Sequence, residues 1–137
     1  MEVLADDKML QHYENDLKAR QRDFIKWLQT FDQAEGGLLN IARSYKKFGL
    51  NLQSNGDIEY CEWAPSAVSV TIFGEFNNWN REEYRCKKNE FGCHSLTLKA
   101  NPDGSPRIHH NTKYKIRIEE PDGTLKDRNS AWARYYI

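Results

Sequence analysis

Apolar residues in the first third of the chain recur at helical spacing. Between Asp7 and Phe31, the residues Leu10, Tyr13, Leu17, Phe24, Leu28 and Phe31 fall three, four or seven positions apart. That spacing sets them along one stripe of an amphipathic helix. Glu14–Lys18 and Asp16–Arg20 are i,i+4 pairs in the favourable order and support its exposed side. Asp6 or Asp7 caps the start. Gly36-Gly37 stops the helix, because glycine takes the left-handed conformation at a helix C-terminus without steric cost. A shorter helical pattern follows, with Leu38, Ile41, Ala42, Tyr45 and Phe48 on one face and Gly49 at its end.

From about Leu50 the period changes to two. Ile58, Tyr60 and Glu62 alternate with Glu59, Cys61 and Trp63; Val68, Val70 and Ile72 alternate with Ser69, Thr71 and Phe73. His94, Leu96 and Leu98 then alternate with Ser95, Thr97 and Lys99, and Tyr114, Ile116 and Ile118 with Lys113, Lys115 and Arg117. Each set predicts a half-buried strand. Asn55-Gly56, Pro65-Ser66, Asp103-Gly104 and Asp122-Gly123 supply turns between them. Short strands, regular turns and no intervening helix predict an antiparallel sandwich. The stretch from Asn101 to His110 has the composition of a mobile loop. The pattern divides the chain into a helical segment, 1–49, and a β domain, 50–137.

Composition narrows the function. The chain has 137 residues, enough for one sandwich of about 100 residues with helices attached. An eight-fold β/α barrel of roughly 250 residues does not fit. Twenty basic side chains balance twenty acidic ones, so no net field draws the chain to nucleic acid or to a membrane. No apolar run approaches the roughly 20 residues of a membrane span, and MEVLADDKML lacks the features of a signal peptide. Cys61, Cys86 and Cys93 are odd in number and not closely spaced. Free thiols in a reducing cytosol are the expectation, with a Cys86–Cys93 bridge as the alternative. His109-His110 has no cysteine or carboxylate at ligand spacing, so no metal site is expected. No cofactor motif is present. Lys46-Lys47 and Lys87-Lys88 are expected to be solvated charge.

Two stretches carry specific information: Glu62-Trp63-Ala64-Pro65 at a strand end, and Phe73-Gly74-Glu75-Phe76-Asn77-Asn78-Trp79-Asn80 after the next strand. Together they resemble the family 48 carbohydrate-binding modules. Glu35-Gly36-Gly37, Ser44-Tyr45-Lys46-Lys47-Phe48-Gly49 and Ser130-Ala131-Trp132-Ala133-Arg134-Tyr135 extend the likeness. In that order the elements look like the N-terminal region of eukaryotic glycogen and starch branching enzymes. The resemblance implies a mainly β fold, an immunoglobulin-like antiparallel β-sandwich carbohydrate-binding module preceded by a helical segment. It implies α-1,4-glucan chains (maltooligosaccharide, glycogen or starch) as partners. It also implies a catalytic barrel as a partner, one that these residues do not contain. The chain itself is then not an enzyme and has no catalytic residue. The alternative is a stand-alone glycogen-binding regulatory or scaffolding module, related to the β subunit of the AMP-activated kinase.

A glucan offers apolar sugar faces and many hydroxyls, so its site wants exposed aromatic platforms flanked by polar groups. By resemblance, Trp63 and Pro65 form part of an oligosaccharide groove; the other reading of Trp63 is a core indole. Glu35 matches a groove glutamate, beside Ala34 where the family has asparagine; its other reading is a solvated helix-end carboxylate. Phe91-Gly92-Cys93 matches a Tyr-Gly-Lys turn of the same groove and loses its hydroxyl and ammonium. Trp79 aligns with a sugar-stacking tryptophan of the kinase module, or else closes a turn with Asn77 and Asn78. Phe76 is expected in the core, and Trp132 and Tyr135 to pack where the chain leaves the module.

Overall fold

In a computed structural model, residues 6–135 are described. They form two compact units, one up to Ser44 and one from Tyr45.

The first unit is helical. Asp7 caps a 3-10 turn, Lys8–Tyr13, its carboxylate accepting the Met9 N–H at 2.9 Å. The α-helix α1 (Glu14–Glu35) follows. The predicted helix from Asp7 therefore begins as the tighter 3-10 form, a frequent start for an α-helix. Lys18 pairs with Glu14 at 2.6 Å. Gly36 ends α1 in the left-handed conformation, with φ 72° and its N–H directed at the Asp32 carbonyl, while the Gly37 N–H reaches the Phe31 carbonyl. A five-residue helix, α2 (Leu38–Ala42), comes next. No residue of α1 or α2 is buried.

The second predicted helix does not continue to Phe48. A 3-10 turn, Ser44–Lys46, leads into a strand, and Gly49 opens that strand instead of ending a helix. Phe48 stacks on Trp132 at 5.0 Å between centroids. A Cβ on Gly49 would lie 2.9 Å from the Trp132 Cβ and carbonyl oxygen. That tertiary contact, invisible to a local pattern, sets the conformation.

The second unit contains eight strands: β1 (Gly49–Leu52), β2 (Ile58–Trp63), β3 (Ser69–Gly74), β4 (Tyr84–Arg85), β5 (Lys87–Lys88), β6 (Cys93–Leu98), β7 (Tyr114–Glu119) and β8 (Leu125–Arg128). They pair antiparallel in two sheets, ordered β1-β2-β6-β5 and β4-β3-β7-β8. The expected sandwich is what forms. Ile58 and Tyr60 of β2, Leu98 of β6, Val70 and Ile72 of β3 and Ile116 of β7 make its interior.

One local expectation changes. β3 is buried along its whole length instead of on one face. Its outward Phe73 is covered by Trp79, edge-on at 5.9 Å, and by the Arg81 guanidinium 4.8 Å from the ring centre. The loop Asn101 to His110 is built around an Asp103 carboxylate that accepts from the Ser105 N–H and hydroxyl. It also sends Ile108 into the core.

Candidate functional site

Alternation on β2 puts Glu62 inside and the neighbouring Trp63 on the outer face of its sheet. Trp63 is 60% exposed and Phe91 72% exposed. They arrive from different hairpins. Phe91 sits at the tip between β5 and β6, where the Asn89 side-chain oxygen accepts the Phe91 N–H at 3.0 Å and the Cys93 N–H at 2.9 Å. Gly92 has a left-handed φ of 76° there. The Trp63 indole N–H donates to the Phe91 carbonyl at 3.1 Å, and the Ala64 N–H to the Gly92 carbonyl at 3.0 Å. A Cβ on Gly92 would come within 2.4 Å of Pro65 Cα. Only glycine lets the hairpin tip approach the turn this closely. The structure thus gathers Trp63, Pro65, Phe91 and Gly92 into one aromatic rim.

The turn beneath the rim is held from below. The Lys88 ammonium donates to the carbonyls of Pro65, at 2.8 Å, and Ala67, at 2.7 Å. His94 Nε2 lies 3.2 Å from the Ala64 carbonyl, and the Ala67 N–H bonds the same oxygen at 3.0 Å. Lys88 is exposed, as the Lys87-Lys88 pair suggests in sequence, but its ammonium is also bonded to two carbonyls of the turn. A two-residue strand leaves no periodic signal, so nothing local could have revealed it. His94 has no exposed surface, and its Nδ1 has no hydrogen-bond partner. Burial lowers its pKa from the ordinary imidazole value; the Ala64 bond opposes this and the Lys88 charge adds to it. Its alternating position in β6 announced a buried side chain and no more.

Glu62 joins two of the sequence elements. Its carboxylate accepts from the Tyr60 hydroxyl at 3.1 Å and the Ser130 hydroxyl at 2.5 Å. The segment after β8 is thereby tied to the end of β2. Phe48, Glu62, Trp63, Ala131 and Trp132 line a groove of about 340 Å³ beside the rim. Trp132 was expected to pack where the chain leaves the module; it also walls this groove.

Trp79 is elsewhere. It follows β3 in the other sheet, is 38% exposed, and has a left-handed φ of 60°. Its N–H closes on the Gly74 carbonyl at 2.8 Å. Asn77 braces the same loop, accepting the Gly74 N–H at 2.9 Å and donating to the Asn80 carbonyl at 2.7 Å. Trp79 borders a larger groove of about 670 Å³, together with His109, Asn111, Tyr114, Trp132 and Tyr135. Trp132 is common to both grooves. Phe76 is partly buried against the core and packs on Tyr84 at 5.5 Å. Glu35 is the last residue of α1, in the helical unit, where its carbonyl accepts from the Asn40 side chain at 3.0 Å.

The three cysteines are free thiols. Burial, then the neighbouring Cys93, pushes Cys61 up to about 11, and burial pushes Cys86 up to about 12. Both are protonated near neutrality and are weak nucleophiles. Among the described residues no cluster of three metal-ligating side chains occurs, and no helix is long and apolar enough to cross a membrane.

Comparison with known proteins adds to this geometry. The model of the carbohydrate-binding module 48 family (isoamylase N-terminal domain) matches residues 47–133. A 1,4-alpha-glucan-branching enzyme of Rhizophagus irregularis is 41% identical over 93% of this chain and 19% of its own length. The Yarrowia lipolytica branching enzyme is 36% identical over 100% of this chain and 20% of its own. A chloroplastic/amyloplastic branching enzyme of Arabidopsis thaliana is 39% identical over 96% and 16%. The chain thus spans about a fifth of the length of these relatives, helical segment included. With the two-sheet sandwich and the family match over most of the β unit, the chain belongs to the carbohydrate-binding module 48 family.

Proposed function

We propose that this chain is the glucan-holding, non-catalytic region of a 1,4-alpha-glucan branching enzyme. Its helical segment and its module are divided near Gly49. The observation that carries the reading is the rim, where the exposed Trp63 indole is held by its N–H bond to the backbone carbonyl of the likewise exposed Phe91. An indole fixed in this way presents an apolar face to sugar at little entropic cost. Pro65 and Gly92 shape the wall of the rim; Glu35, in the helical unit, is a separate polar contact for glucan. Trp79 provides a second, separate contact on its own groove. The partners are α-1,4-glucan chains and the catalytic barrel of the parent enzyme.

The role is holding, not transfer. Retaining transfer needs two carboxylates about 5–5.5 Å apart in a deep cleft, which belongs to the barrel. The match to branching enzymes along the whole chain supports this reading over a stand-alone regulatory module. The three free thiols favour a reducing compartment, and the cytosol is the one proposed.

Calorimetric titration with maltoheptaose tests the site. Wild type is expected to bind weakly, at millimolar to high micromolar strength. Trp63→Ala should lose about tenfold or more, as for removal of a stacking anchor worth about 1.4 kcal/mol. Trp79→Ala should lose less. No heat with any α-glucan at millimolar ligand would overturn the proposal.

A further inference from the structure

The rim and the turn below it form one clamp. Three carbonyls of the turn, those of Ala64, Pro65 and Ala67, are met by the side chains of His94 and Lys88, with the Ala67 N–H as a further donor to the Ala64 carbonyl. Those two residues are direct partners across the β5–β6 pair. The same hairpin carries Phe91 at its tip and holds Trp63 through the Phe91 carbonyl. A shift of the turn relative to the hairpin therefore displaces Pro65 against the tip that carries Phe91 and bonds the Trp63 indole.

We propose that Lys88 and His94 are the positioning residues of the Trp63–Phe91 rim, and that a proton taken up by His94 releases the turn and with it the glucan. This rests on the glucan-holding reading above. Neutral His94 keeps its proton on Nε2, facing the Ala64 carbonyl, and Nδ1 then remains a bare acceptor. A second proton would sit on Nδ1, an atom with no partner in a fully enclosed site.

Glu62, the partner of His94 in register on β2, has one carboxylate oxygen engaged by Tyr60 and Ser130. Lys88 on β5 is itself a cation, and the buried Cys86 thiol is protonated. The imidazolium reaches water only if the turn lifts. Burial already holds the folded-state pKa below the usual value. The open form thus binds the proton more readily than the clamped one. The clamp is fully formed above the ordinary imidazole value of about 6.5 and weakens as pH falls below it.

Two readouts on the full chain test this. In maltoheptaose titrations, wild-type affinity is expected to drop at least about fivefold between about pH 7.5 and pH 5.5, the range in which histidine changes charge. His94→Gln keeps an N–H donor that cannot titrate. Whatever its affinity at the higher pH, it should change less than about twofold on acidification. His12, His109 and His110 remain in that variant and report any contribution of their own. Lys88→Met should lose about threefold or more at the higher pH, as for lost charge-assisted bonds, with Lys88→Arg restoring part of it.

The second readout needs no glucan. The NMR resonance of the Trp63 indole N–H should move with pH and share its inflection with the His94 ring protons. A flat indole signal, or an equal pH response in His94→Gln, overturns the proposal. If wild type binds no glucan at all, the holding reading fails, while the indole titration still decides the role of His94. Should His94→Gln not fold, the shared inflection in wild type decides it alone.

Discussion

The residues of the rim divide by how much of their behaviour is local. Trp63 is exposed because strand alternation puts it opposite the buried Glu62, and that much is legible from period two alone. Gly92 depends on something else: it combines a left-handed φ of 76° with a backbone neighbour only 2.4 Å from where a Cβ would stand. Gly92→Ala is therefore expected to destabilise the chain by on the order of 1–3 kcal/mol. It should also weaken maltoheptaose binding, because the tip carrying Phe91 must move off Pro65. Thermal melts and calorimetry check this; an alanine variant with wild-type melting and affinity would contradict it. Lys88 and His94 show the limit of local reading. One sits in a strand too short to leave a pattern, and the other's missing partner appears only once the sheets are closed.

Among the elements, the loop from Gly74 to Asn80 shows side chains replacing regular backbone pairing. Asn77 bonds the Gly74 N–H and the Asn80 carbonyl, and Trp79 takes a left-handed conformation that a bulky residue seldom adopts. Asn77→Ala leaves both backbone groups without these bonds, an expected cost of about 1–3 kcal/mol. The expected consequence is freer motion of Trp79, read as faster hydrogen exchange at its amide. Unchanged exchange would mean that the backbone closure of Trp79 on Gly74 suffices. The burial of Phe73 belongs to the same element. Its outward place in β3 is clear from alternation, but the Trp79 and Arg81 cover comes from the following loop. The helical segment was legible through Gly36-Gly37. The turn from Ser44 to Phe48 was not, because Phe48 answers to Trp132, more than eighty residues away in the chain.

For the whole molecule, every fully buried residue among those described lies in the unit beginning at Tyr45, and none lies in α1 or α2. A helix with no fully buried residue is marginal alone, since propensity scarcely offsets nucleation. The fragment 45–137 is expected to fold and melt cooperatively with a β-type circular dichroism spectrum. The fragment 1–44 is expected to lose most of its helicity. A cooperative transition in 1–44, or a disordered 45–137, would contradict this division of stability. Charge contributes little to it: twenty cations and twenty anions balance. Several of their pairs, such as Arg81–Asp127 and Lys126–Glu120, lie at half-exposed positions where screening keeps them weak.

Periodicity by itself determined the helical start, the change to strands, the sandwich and the outward face of Trp63. These follow from short-range geometry, with 3.6 residues per helical turn and two per strand repeat. The motif residues added the family and the candidate rings. The tertiary structure alone decided which residues come together: the Trp63 indole bonds the Phe91 backbone, while Trp79 borders another groove. It also decided that Lys88 and His94 hold the turn beneath the rim. Those outcomes depend on strand register and on the approach of distant backbones, which no local pattern encodes.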